Sequence, residues 1–234
     1  MGKIYFNGEE YGGSEVVANP SGSASAALTK LKVDNTIYSI SGGGGSNTTP
    51  YLKSSGSQYI DTGIKPDEDT SIVCDFFIDI EQLNKASSWQ TIFAGNDGNT
   101  VNSLQFSFNP SASKLTYQDG SAYSDVDGRF ITPIDIHRAS VVKGVCTFDK
   151  LTMFNWTIGT FTGGHNIYLF AGNTNGTAEG LASICLLGCK IYSGNTLVAD
   201  FVPVNNNGVA CLYDNVSQTY FTNQGTGSFT YGEL

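Results

Sequence analysis

The stretch from Gly188 to Tyr231, GCKIYSGNTLVADFVPVNNNGVACLYDNVSQTYFTNQGTGSFTY, decides the fold of this chain. Apolar residues flank the polar turn at 193–196, which predicts a hairpin. A second hairpin is predicted from strands at 209–213 and 219–222, and a turn at 225–227 leads into a closing strand. Short strands separated by Gly and Asn turns indicate an all-β protein.

These motifs resemble the C-terminal end of laminin-G-like, concanavalin-A-type jelly-roll modules of gut bacterial and bacteriophage surface proteins. The matching segments are 190–192, 194–198, 200–204, 208–209, 212–214 and 221–227. YIDTG at 59–63 matches the first strand of such a module, so the resemblance covers roughly residues 50 to 232. It implies a jelly-roll sandwich.

The chain after residue 50 continues the pattern of short strands and turns. Strands are predicted at 57–64, 70–80, 89–95, 103–109, 113–118, 129–142, 146–157, 166–171, 181–192 and 196–203. A helical pattern is confined to one turn at 81–86. Regularly spaced strands with Gly and Asn punctuation predict a sandwich of two sheets.

A glycine-rich segment divides the chain into two parts. GGGGSNTTP at 42–50 predicts a flexible linker between an N-terminal segment, 1–41, and the sandwich, 51–234. The N-terminal segment contains one predicted hairpin, which cannot bury enough apolar surface to be stable alone. We therefore expect it to dock or to oligomerise, as a dimer or trimer. The residues expected to mediate this attachment are Leu28, Leu31, Val33, Ile37, Tyr38 and Ile40.

The N-terminal segment also resembles a leader of phage structural proteins, through residues 19–22, 27–33 and 36–40. In those proteins the leader precedes interchangeable, often lectin-like modules and joins them to the virion. The resemblance implies that residues 1–41 contact other virion proteins, and that the protein is a head fibre, a capsid decoration or a tail protein.

Charge and hydropathy exclude several classes of partner. The net charge is −9 with only 12 Lys and Arg, so no basic stripe is available for nucleic acid. The sequence has no run of 18 apolar residues and no secretory signal pattern at its N-terminus. We expect synthesis in the host cytoplasm without a signal peptide, no membrane insertion, and a final location on the virion surface.

The cysteines and acidic residues do not predict a metal site or a cofactor. The five cysteines are spread over four predicted strands and are expected to be buried free thiols. Cys185 and Cys189 are expected to share a strand face, too far apart for a disulfide. Asp125 and Asp127 could contribute to a calcium site, but no Glu follows at the required spacing and Asp also favours turns.

No catalytic residue is predicted. Glycosidases of this fold carry acidic residues at alternate strand positions, and the nearest match, 77–81, has Phe77 in place of the first carboxylate. His137 and His165 lie in no recognisable nucleophile motif.

A binding face is the alternative to catalysis, because sugar sites combine an aromatic surface with polar groups that bond hydroxyls. The candidate residues near polar loops are Trp89, Asn96, Asp97, Tyr117, Asp119, Tyr123 and Trp156. Core packing remains an alternative role for both tryptophans, since a sandwich of this size needs large apolar residues.

The sequence therefore predicts a non-enzymatic phage virion protein that displays a lectin-like domain to host-associated or environmental glycans. Two alternatives stay open. The jelly roll could be a structural spacer that binds no sugar, or it could be a glycan-degrading enzyme of the same fold, with Glu81 or Glu179 as the acids to test.

Overall fold

The computed structural model describes residues 48–78, 89–98, 101–112, 114–127 and 135–234, together with the backbone of four short strands nearer the N-terminus. The chain forms two compact units, Met1–Asn47 and Thr48–Leu234. The first contains two antiparallel pairs, which are β1 (Ile4–Phe6) with β2 (Glu9–Tyr11) and β3 (Lys30–Val33) with β4 (Thr36–Ser39). The predicted hairpin is therefore present as β3 and β4.

The second unit is a sandwich of two sheets. The larger sheet has ten strands: β5 (Pro50–Lys53), β7 (Thr70–Phe77), β12 (His137–Val142), β13 (Val145–Phe148), β14 (Leu151–Asn155), β18 (Cys185–Ser193), β19 (Thr196–Asn206), β20 (Val209–Asp214), β21 (Thr219–Phe221) and β22 (Thr230–Glu233). Its main path runs β14-β13-β12-β7-β18-β19-β20-β21, and β5 joins β22 to β18.

The smaller sheet has eight strands: β6 (Ile60–Asp61), β8 (Gln90–Asn96), β9 (Ser103–Asn109), β10 (Lys114–Gly120), β11 (Ala122–Asp127), β15 (Tyr168–Leu169), β16 (Gly172–Thr174) and β17 (Thr177–Glu179). Its main path runs β11-β10-β9-β8-β15-β6. All strand pairs in both sheets are antiparallel except β16 with β8. The described residues thus form the all-β, jelly-roll-like sandwich that the sequence predicts.

Aromatic rings fill the space between the sheets. Phe106 of the smaller sheet contacts Phe76 and Phe148 of the larger one, with ring centroids 6.2 and 5.9 Å apart. It also contacts Phe93 and Tyr117 within its own sheet. All five rings are buried. Their burial contributes strongly to sandwich stability, because each aromatic side chain removes a large apolar area from water.

One predicted strand is two strands. Residues 146–157 were expected to be continuous, but Asp149 and Lys150, with φ of 48° and 70°, form a two-residue turn between β13 and β14. Positive φ at both central residues is the geometry that hairpin twist favours. No glycine marks this turn, which is why the sequence pattern missed it.

A bulge in β18 corrects the expectation for Cys185. The register pairs Leu186 with Phe76 and Cys189 with Cys74, so the strand shifts between residues 186 and 188. Leu186 and Cys189 both belong to the central core, whereas Cys185 pairs with Phe77 on the other face. Cys185 and Cys189 therefore do not share a face, because the bulge inverts the alternation.

The remaining differences are confined to strand ends and short strands. Within 166–171 only Tyr168–Leu169 forms a strand, and Phe170, with φ of 66°, turns the chain between β15 and β16. Strands β1, β2, β5, β11, β16 and β17 were not predicted. Residues 79–88 and 128–134, including the expected helical turn and part of a predicted strand, lie outside the described residues. No helix in the described part of the chain is long and apolar enough to span a bilayer.

Candidate binding surfaces

Two of the predicted ligand-binding residues lie inside the sandwich. Tyr117 and Asp119 point toward the core from β10, and both side chains are fully buried. Asp119 Oδ2 accepts a 2.7 Å hydrogen bond from the backbone N–H of Gly144, which ties β10 to the β12–β13 turn. Both residues lie on the inward-facing side of the strand, so neither side chain is available to a ligand on the outer surface of the sandwich, and their predicted ligand role stays a prediction.

Burial also sets the protonation behaviour of these residues. Burial raises the pKa of Asp119 to about 6 despite the opposing hydrogen bond from Gly144. Its Oδ1 atom and the Tyr117 hydroxyl have no hydrogen-bond partner among the described residues. A carboxylate with one unpaired oxygen in the core is costly to keep charged, so protonation at mildly acidic pH is favoured.

Asn96 and Asp97 lie in a loop at the end of β8, where their side chains bond neighbouring backbone. Asp97 Oδ1 accepts from the N–H of Gly164 at 2.8 Å, and Asn96 Oδ1 accepts from the N–H of Gly98 at 2.9 Å. These contacts fix the loop and occupy an oxygen on each side chain. Asn and Asp side chains commonly stabilise loops in this way, by accepting hydrogen bonds from backbone N–H groups.

The two predicted tryptophans are half-buried. Trp156 stacks on Phe154 with centroids 4.9 Å apart and packs against the core. Trp89 precedes β8, and its carbonyl accepts a long hydrogen bond from the side chain of Gln90. Trp156 therefore has a packing role, as the alternative interpretation proposed.

Tyr123 and Asp125 occupy the outward face of the hairpin formed by β10 and β11. Tyr123 is 50% exposed, and its hydroxyl donates to Asp125 Oδ1 at 3.0 Å. Thr116 donates to the same oxygen at 2.6 Å, and Lys114 Nζ lies 3.4 Å from Asp125 Oδ2. We call these four residues the Tyr123 surface. It places an exposed aromatic ring beside an anion and a cation, and the hydroxyl of the buried Thr116 bonds the anion instead of facing solvent.

The electrostatics of the Tyr123 surface keep Asp125 ionised. Burial alone would raise the pKa of Asp125, but hydrogen bonds from Thr116, Tyr123 and Lys114 outweigh it and lower that pKa. Partial burial and the same carboxylate raise the pKa of Tyr123, so its hydroxyl remains a donor. The carboxylate thus holds the tyrosine ring in place through a charge-assisted bond.

Lys114 and Thr116 were missed by the sequence analysis because β11 was taken for a loop. The signal that could have found them is Asp119-Gly120-Ser121 between two alternating segments, which is a hairpin pattern. In that register Lys114 pairs with Asp127, and Thr116 pairs with Asp125. No cluster of three or more His, Cys, Asp or Glu suited to a metal occurs in the described part of the chain, and Asp125 already accepts three protein donors.

A second exposed aromatic pair was also missed. Tyr213 and Tyr220 face each other across β20 and β21 with centroids 5.0 Å apart, and Tyr220 is 50% exposed. Within the described part of the chain, neither tyrosine hydroxyl bonds a charged side chain. This pair is thus a natural comparison for the Tyr123 surface.

An open groove of about 630 Å³ crosses the larger sheet. It is lined by Thr49, Asp75, Ile136, Arg138, Asp149, Lys150 and Leu187. Arg138 forms a two-point ion pair with Asp75 at 2.6 and 2.7 Å, and Asp149 bonds His137 and the backbone of Arg138. Arg138 and Asp75 neutralise each other in this groove, beside the exposed Ile136.

The residues predicted to attach the N-terminal segment are described in part. Leu28 and Ile40 lie outside the described residues. In the backbone register Leu31 pairs with Tyr38, Lys32 with Ile37, and Val33 with Thr36. The attachment role of these residues stays a prediction.

In sequence comparisons the chain matches no protein-family model and no curated protein.

Proposed function

We propose that this chain is a non-enzymatic bacteriophage virion surface protein, a head fibre, capsid decoration or tail adhesin, whose sandwich unit binds glycans through the Tyr123 surface. The observation that carries the binding part is the half-exposed Tyr123 ring, held by Asp125 beside Lys114. A sugar ring can stack on the aromatic face while its hydroxyls bond the adjacent charged and polar groups.

The virion part of the proposal rests on the two sequence resemblances and on the two-unit organisation. A small unit at 1–47 precedes a sandwich of 187 residues, from Thr48 to Leu234, which has a continuous aromatic core. A display protein needs this division, because one part must join the particle while the other remains available to ligands. Weak contacts at single sites then sum through many copies on one particle.

A glycan array with the full chain at high valency tests the binding proposal. We expect binding to at least one host-associated polysaccharide, and a loss of roughly tenfold or more in affinity for Tyr123→Ala, since a stacking contact worth about 1.4 kcal/mol corresponds to a factor of ten. Tyr220→Ala is the matched control, because it removes an equally exposed tyrosine from an edge strand of the other sheet.

The outcomes separate the alternatives. If the wild-type chain binds none of the host polysaccharides, this favours the structural spacer. If only Tyr220→Ala reduces glycan binding, the binding site is the Tyr213–Tyr220 pair and not the Tyr123 surface. If the wild-type chain releases reducing sugar, and Glu179→Gln or Glu81→Gln abolishes this release, the protein would instead be a glycan-degrading enzyme.

A further inference from the structure

Two cysteines from distant parts of the chain meet in the core of the larger sheet. Cys74 lies on β7 and Cys189 on β18, 115 residues apart in sequence, and the antiparallel register places them directly opposite each other. Their Sγ atoms are 2.8 Å apart, so the gap exceeds the ~2.05 Å bond of a disulfide by less than 1 Å. All five cysteines are buried and none is in a disulfide.

The placement of this pair follows from the bulge in β18. Without the shift between residues 186 and 188, Gly188 would lie opposite Cys74 in place of Cys189. The other buried thiols have different cross-strand neighbours, because Cys146 pairs with Val141 and Phe154, and Cys211 pairs with Val204. The bulge therefore sets one specific pair of thiols in contact.

We propose that Cys74 and Cys189 are a redox modification site, which closes to a cross-strand disulfide when the chain meets a peroxide. One thiolate attacks the peroxide, an S–O bond forms, the O–O bond breaks, and a sulfenic acid results. The second sulfur then displaces that oxygen as water and forms the S–S bond. Two thiols lose two protons and two electrons, and hydrogen peroxide becomes two molecules of water.

A small oxidant fits this site better than a bulky disulfide does. Cys74 is 0% exposed and Cys189 is 2% exposed, so no room is available for a mixed disulfide with a peptide thiol. Burial and the contact with Cys189 raise the pKa of Cys74, so its thiol stays protonated and reacts slowly. The pair is therefore stable as two thiols in a reducing compartment and forms the disulfide only on sustained exposure to a peroxide.

The disulfide would brace the centre of the sheet. β7 pairs with β12 and β18, and β18 pairs with β7 and β19, so the bond would join two interior strands. The bond would join residues that are 115 positions apart in the sequence. A cross-link that closes so long a loop lowers the conformational entropy of the unfolded chain most strongly, and this stabilises the folded state. This inference does not depend on the proposed function.

The test exposes the folded full chain to hydrogen peroxide and measures intact mass, the number of thiols after unfolding, and the linked peptides. We expect a loss of two hydrogens, three remaining thiols, and a peptide that joins Cys74 to Cys189. The thermal midpoint should rise by about 10 °C and return on reduction. Cys146→Ala should keep the linkage, and Cys74→Ala should abolish both the linkage and the rise.

Three results would overturn the proposal. They are five intact thiols after an exposure that fully oxidises a reference dithiol peptide, oxygen addition without a link, and a link that excludes either cysteine. A linked protein with an unchanged thermal midpoint would refute the bracing effect. The wild-type measurements decide these outcomes even if a cysteine variant fails to fold.

Discussion

Lys150 adopts a left-handed backbone conformation, with φ of 70°, that residues with a Cβ rarely adopt. The cost of this conformation is roughly 1 kcal/mol for a residue other than Gly. The turn at Asp149 and Lys150 nevertheless forms, because β13 and β14 pair on both sides of it. The pairing of β13 with β14 thus stabilises a turn that Asp149 and Lys150 would not favour by themselves.

Lys150→Gly should therefore stabilise the sandwich by up to about 1 kcal/mol, because glycine adopts this conformation without steric cost. Chemical denaturation of the full chain measures the change. Thr152→Gly, at an exposed position two residues later in β14, should destabilise instead, since φ is not positive there. Equal destabilisation by both variants would contradict the turn geometry.

Asp119 should make stability depend on pH in an unusual direction. Its pKa is raised from 3.8 in the unfolded chain to about 6 in the folded one, so the folded state binds the extra proton between these values. The contribution of Asp119 to stability is thus lost as pH rises through 6, by about 3 kcal/mol at most.

Asp119→Asn should flatten the stability profile between pH 4 and 7 while keeping an oxygen that accepts the Gly144 N–H. Urea unfolding across this pH range measures the slope. Glu179→Gln, which removes one negative charge from an exposed strand, controls for net charge. If Asp119→Asn leaves the slope of the wild type unchanged, the buried carboxyl is not responsible.

Between elements, Asp214 joins the hairpin of β18 and β19 to the hairpin of β20 and β21. Its Oδ1 accepts the N–H groups of Asp200 and Val216 at 2.7 and 3.1 Å, and its Oδ2 accepts the N–H of Ser217 at 2.9 Å. Burial alone would raise the pKa of Asp214, but these bonds outweigh it and lower that pKa. The residue therefore fixes β19 against the β20–β21 loop as a carboxylate.

Asp214→Ala should cost about 2–4 kcal/mol, because it leaves several backbone donors without their acceptor. Asp214→Asn keeps one acceptor oxygen and should cost less. Because the lowered pKa contributes stability only above the unfolded value of 3.8, this part is lost as pH falls through the folded pKa. Acid unfolding of the two variants, compared with the wild type, checks both the order and the sign.

The sequence predicted best where alternation and turn chemistry agree. β9 has the bounds that were predicted, and the Gly194 turn joins β18 to β19 as expected. Prediction failed where long-range contacts override the local pattern, as at the glycine-free turn of Lys150 and at the bulge of β18. For the candidate site, the sequence named Tyr123 among the ligand residues and Asp125 only as a possible calcium ligand, and it also selected the buried Tyr117, because composition does not reveal which strand face is buried.

In the whole molecule, the two units differ in size and core. The sandwich from Thr48 to Leu234 contains the aromatic core and the Tyr123 surface. The unit from Met1 to Asn47 contains the short pairs β1–β2 and β3–β4. Two-stranded pairs are marginal by themselves, whereas a sandwich of this size has enough buried area to fold alone.

Deletion of residues 1–41 tests this account most directly, with particle incorporation and thermal unfolding as the two measurements. We predict a folded sandwich with a cooperative transition that no longer copurifies with virions, while the full chain does. Incorporation of the truncated chain at the level of the full chain would contradict the attachment role. Failure of the truncated sandwich to fold would contradict its independence from the N-terminal unit.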